Sequence, residues 1–62
     1  MLKIEIIENY RMKKKLTKSE LAFQLGMLPS NYTMMMKSKS TTFLTLERIA
    51  KVLNIKSKEL IT

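Results

Sequence analysis

Cysteine, histidine and aspartate are absent from these 62 residues, and glycine and proline occur once each. Without cysteine there is no disulfide and no thiolate zinc site to stabilise a small fold. Without histidine or aspartate the usual metal-ligand clusters and nucleophile–histidine pairs are missing, so neither a metal nor a cofactor is expected. A glutamate or lysine would need a deep pocket to shift its pKa into a catalytic range, and so short a chain has little material for one. An enzyme is therefore not expected. No apolar run approaches the roughly 20 residues of a transmembrane helix. The first residues carry Lys3 and then Glu5 and Glu8, unlike a secretory signal. No membrane role is expected, and the expected location is cytoplasmic.

The length allows one domain, residues 1–62. Such a chain buries only about 60% of the surface it exposes when unfolded, so its core must be economical. The charge is informative: twelve lysines and arginines against five acids give +7. A surface of that sign attracts polyanions, of which nucleic acid is the commonest in a cytoplasm. Arg11, Lys13, Lys14, Lys15 and Lys18 place five positive charges within eight residues with no acid between them. Taken alone, such a run is as well explained by a solvated face as by DNA binding.

Gly26 and Pro29 are the only strong punctuation, which favours helices over a many-stranded sheet. Leu2 to Ile6 alternates like a strand, but Ile4, Ile7 and Tyr10 recur at helical spacing. No second alternating segment offers a partner strand, so residues 3–14 are read as a helix. Thr17-Lys18-Ser19-Glu20 has the form of a capping box. The helix it opens turns Leu21, Ala22 and Leu25 inward and stops at Gly26, a natural left-handed cap. Pro29 suits the first turn of the next helix, which should run to about Lys37 with Tyr32, Met35 and Met36 inward. Thr42 caps a fourth helix whose Leu46, Ile49, Ala50 and Leu53 make an i, i+3, i+4, i+7 stripe. Ser57 opens a last short turn ending at Leu60 and Ile61. The expected fold is all-α, with four or five short helices around one core.

The segment from Thr17 to Met27, with Glu20-Leu21-Ala22 and Leu25-Gly26, leads into Pro29-Ser30-Asn31-Tyr32. It closely resembles the helix-turn-helix of the Cro/lambda-repressor-like (XRE) family. The resemblance continues through Leu46 to Ile55, ends at Glu59-Leu60, and covers roughly residues 4–61, with the motif itself at about 17–37. It implies a sequence-specific DNA-binding regulator of repressor type, with the helix at about 29–37 in the major groove. Carried over position by position, the base-facing candidates are Pro29, Ser30, Asn31 and Met34. The phosphate-facing candidates are Thr17, Lys18, Thr33, Lys37, Lys39 and Thr42. The implied partner is double-stranded DNA. A homodimer is expected because one recognition helix buries too little surface for the usual specific affinity.

The sequence departs from the family pattern at several positions. Met36 stands where a glutamate often pairs with an arginine of the first helix, here Arg11, which must find another partner or face solvent. Leu28 stands where the recognition helix is usually capped and cannot cap through its side chain. Lys15 replaces a frequent glycine, and the turn before the fourth helix is one residue shorter. Met34 replaces a frequently polar reader, so at least one of three consecutive methionines is exposed and meets either a thymine methyl or a protein. Tyr32 is expected in the core. Leu2 and Ile6 lie off the main apolar face, either as a frayed terminus or as part of a dimer contact. The rival function is a protein-interaction module of the same fold that binds a repressor or another DNA-binding protein.

Overall fold

In the computed structural model, which describes residues 1–61, the chain forms four α-helices and a closing 3-10 turn. They are α1 (Ile4–Lys13), α2 (Lys18–Gln24), α3 (Pro29–Ser38) and α4 (Phe43–Leu53), with the 3-10 turn at Ser57–Leu60. The expected all-α class is correct, and α2 and α4 begin at side-chain caps.

Both arms of the capping box on α2 are present. The Glu20 amide donates to Thr17 Oγ1 at 3.1 Å, and the Thr17 amide donates to Glu20 Oε1 at 2.7 Å. Two orphan N–H groups are thereby satisfied reciprocally. After α2 the chain turns at Gly26 with φ of 71°, a left-handed conformation open to glycine at little steric cost. Thr42 caps α4 by accepting from the Thr45 amide at 3.3 Å. Lys39 and Asn54 end α3 and α4 in left-handed conformations, and Lys15 takes φ of 57° after α1. At α3 the expected deficit is real: Leu28 has the extended backbone of a cap but supplies no side-chain hydrogen bond.

The inward stripes meet in one hydrophobic cluster. Leu46, Ile49, Ala50 and Leu53 of α4 are all buried, as are Leu21, Ala22 and Leu25 at α2. Tyr32 and Met35 of α3 and Ile7 of α1 complete its centre, with Met36, Ile4 and Tyr10 packed at its edge. Helices α2 and α3 pack on each other through the turn, while α4 holds the 3-10 turn and α1.

The reading of the N-terminus needs correction. Leu2 is only 4% exposed and belongs to the core, so it is neither frayed nor open to a dimer contact. An extended partner does exist: Leu2 forms an antiparallel bridge with Ile61. The Leu2 amide donates to the Lys39 carbonyl at 2.9 Å and the Lys3 amide to the Leu60 carbonyl at 2.7 Å. One bridged pair is too short to appear as an alternating segment, which is why periodicity missed it. Ile6 is half-buried, beside Tyr10, Leu53 and Ile55.

Candidate nucleic-acid interface

The outward face of α3 follows from its inward one. Tyr32 and Met35 are buried and Met36 is half-buried, while Pro29, Ser30, Asn31, Thr33, Met34 and Lys37 are exposed. Successive residues of an α-helix are turned by about 100°, so Ser30, Met34 and Lys37 sit farthest from the core, with Asn31 on one flank and Pro29 and Thr33 on the other. All four base-facing candidates are thus on the surface, though Asn31 is off the centre of the face. Thr33 does not offer a free hydroxyl proton, because its Oγ1 donates to the Pro29 carbonyl at 3.1 Å.

Besides packing on α2, this helix is tied to α1 by a hydrogen-bond network. The Tyr32 hydroxyl donates to Glu8 Oε2 at 2.8 Å. Arg11 grips the same carboxylate with both Nε, at 3.1 Å, and Nη2, at 3.0 Å, and its Nη1 donates to the Leu16 carbonyl at 2.8 Å. A two-pronged guanidinium contact of this kind fixes orientation as well as charge. The Arg11 hydrogen bond holds the Glu8 carboxyl below its usual range; burial opposes this, and the Tyr32 hydroxyl adds to it. The Tyr32 hydroxyl is pushed up, chiefly by burial and then by its bond to Glu8. Arg11 therefore has the partner that Met36 cannot supply, and the partner comes from its own helix. The sequence did carry a signal, since Glu8 and Arg11 are three residues apart and share a helix face. Tyr32 as the third member depended on the packing of α1 against α3.

The basic candidates divide into groups. Lys18, Thr33 and Lys37 line one cleft of about 310 Å³, with Ile4, Tyr32 and Met36 as its apolar floor and Glu8 at its edge. That cleft lies where α1, the start of α2 and α3 meet. Thr17 is exposed beside it in sequence; its oxygen accepts the Glu20 amide, which leaves the hydroxyl proton available. Thr42 is less free, because its hydroxyl donates to Thr45 Oγ1 at 3.0 Å. Lys39 borders a different hollow with Met1, Leu2 and Ile61. Lys13, Lys14 and Lys15 are exposed around the end of α1, with the Lys14 ammonium 5.9 Å from the Tyr10 ring centre.

A family model described as helix-turn-helix matches residues 7–60. The chain belongs to that family. The match is to the XRE type, as in Cro and lambda-repressor-like domains, whose members are DNA-binding regulators and not, as a rule, enzymes. No curated protein and no solved structure gives a significant match. Among the described residues no helix is long and apolar enough to cross a membrane, and no three acidic, histidine or cysteine side chains are grouped to hold a metal ion.

Sequence reasoning missed one surface of this helix-turn-helix. Phe23 on α2 is 86% exposed and, with Met27 and Pro29, lines a shallow groove of about 320 Å³ edged by Ser19 and Glu20. Its signal was available: Phe23 lies between Ala22 and Leu25 but off the face that Leu21, Ala22 and Leu25 share. Phe43 and Leu44, in the first turn of α4, are exposed as well, Leu44 off the buried stripe and Phe43 at its open end.

Proposed function

We propose that this chain is a sequence-specific DNA-binding transcriptional regulator of repressor type. It forms a single helix-turn-helix domain over residues 1–62 and acts as a homodimer on a two-fold operator in the cytoplasm. The recognition helix, about residues 29–37, enters the major groove. Pro29, Ser30, Asn31 and Met34 meet base edges there. Asn31 is the residue suited to pair with adenine, and Ser30 serves either a base or a phosphate. Thr17, Lys18, Thr33, Lys37, Lys39 and Thr42 meet the sugar–phosphate backbone, with Lys18 and Lys37 as its main charged contacts; Thr33 and Thr42 donate there once their hydroxyls turn from the Pro29 carbonyl and Thr45 Oγ1. The observation that carries the reading is the cleft between α1, α2 and α3. It puts two exposed lysines beside the outward face of α3, so that one strand's phosphates are neutralised where the helix approaches the bases.

Selection of bound duplexes from a random-sequence library, followed by a salt titration, tests it. A recovered palindromic site with a steep salt dependence is the expected result. Weak binding with no enriched site would overturn it. The groove at Phe23 supports a second reading, a module of the same fold that docks on a protein, since an exposed phenylalanine beside Met27 and Pro29 is an unusual feature for a phosphate-facing helix.

A further inference from the structure

Met34 is 68% exposed near the centre of the outward face of α3. Its surface neighbours one helical turn away are Ser30, Asn31, Lys37 and Ser38, all of them exposed and polar. A single thioether bordered by the Ser30 hydroxyl, the Asn31 amide and the Lys37 ammonium, with the Ser38 hydroxyl turned to the Met35 carbonyl and Ser40, differs from the groove at Phe23, where apolar groups adjoin one another. A broad apolar surface suits a protein partner. One apolar group set among hydrogen-bonding groups matches instead the edge of an A·T pair in the major groove. That edge presents the thymine C5-methyl beside the thymine O4 acceptor and the adenine N6 donor and N7 acceptor.

Resting on the DNA-binding reading above, we infer that Met34 is a specificity-determining residue that recognises a thymine methyl group in the operator. The flexible, polarizable side chain of methionine adapts to such a contact without exact shape matching. Cytosine at the same place lacks the methyl and brings an N4 amino group, which the thioether accepts from only weakly. Met34 therefore selects thymine over cytosine. Lys37 borders both Met34 and the cleft that it shares with Lys18, so its ammonium reaches a phosphate at the edge of the face and leaves the base to Met34.

The test pairs deletions on both molecules. Thymines in the selected site are replaced singly by deoxyuridine, which removes the methyl and nothing else, and affinity is measured for the native chain and for Met34→Ala. At one thymine per half-site the native chain should lose about fourfold in affinity, the worth of one buried methyl group. Met34→Ala should bind the unmodified site more weakly and lose nothing further on that replacement. Because Met34 is exposed, the variant should keep the native melting temperature, which circular dichroism checks. If no thymine is sensitive, or if Met34→Ala keeps the same sensitivity, the inference is overturned and the DNA-binding reading stands. If the library yields no enriched site at all, both are overturned together.

Discussion

Helices α3 and α4 are nearly equal in length, ten and eleven residues, yet they are held in different ways. Helix α4 is specified locally: Thr42 caps its start, Asn54 closes its end, and its four inward residues form one buried stripe. Helix α3 has no side-chain cap and buries only Tyr32 and Met35 fully. It is fixed from outside, by packing on α2 and by the Tyr32–Glu8–Arg11 network that ties it to α1. The contrast has a functional logic. A helix that keeps most of its surface for a ligand cannot also bury it, so its position must come from a few strong, directional contacts.

The largest expected effect lies on the core side of the contrast. Ile49→Ala, at a fully buried site of α4, should cost about 2–5 kcal/mol. That is a large share of what a domain this size possesses, so denaturant titration should show it partly or wholly unfolded. Next comes the tether. Tyr32→Phe keeps the packing and removes one hydrogen bond to a charged acceptor, costing about 1–2 kcal/mol. It should also weaken DNA binding by more than its loss of stability alone explains, because α3 then sits less firmly. An unchanged affinity would show that packing alone positions the helix.

The same tether sets a pH dependence. Because the folded-state pKa of Glu8 is depressed, its contribution is present above the unfolded value of about 4.3 and is lost as pH falls through the folded value. For Tyr32, whose pKa is raised, the contribution is complete below the unfolded value of about 10 and fades as pH rises through the folded one. Urea midpoints should therefore fall at both extremes, and Tyr32→Phe should soften the alkaline limb. The caps give the smallest effects and opposite signs. Thr42→Ala should cost about 1 kcal/mol at α4, whereas Leu28→Ser should gain about 0.5–1 kcal/mol by supplying the missing acceptor at α3. Thermal melts distinguish these, and a destabilised Leu28→Ser would mean that Leu28 contributes packing that its exposure does not suggest.

These differences also mark what the sequence made legible. Helix α4 could be read almost residue by residue, because Thr42 and the stripe from Leu46 to Leu53 are local signals of one period, although its left-handed end at Asn54 was not anticipated. The capping box at Thr17 and the turn at Gly26 were legible for the same reason. The burial of Leu2 was not, since it depends on one backbone pairing with Ile61 across nearly the whole chain. Nor was the role of Tyr32, whose hydroxyl meets a carboxylate 24 residues away. The surface face of α3 followed from periodicity once Tyr32 and Met35 were placed inward. The division of the lysines did not, because the shared cleft of Lys18 and Lys37, apart from Lys39, is a product of how three helices pack.

The most direct test of the account follows the methionine methyl signals by carbon-13 NMR as duplex DNA is added. Met34 is exposed on the outward face of α3, Met35 is buried beside it, and Met27 lies in the groove at Phe23. The account predicts that the selected duplex shifts the Met34 methyl strongly and leaves those of Met35 and Met27 in place. A duplex that moved Met27 and left Met34 unchanged would contradict it.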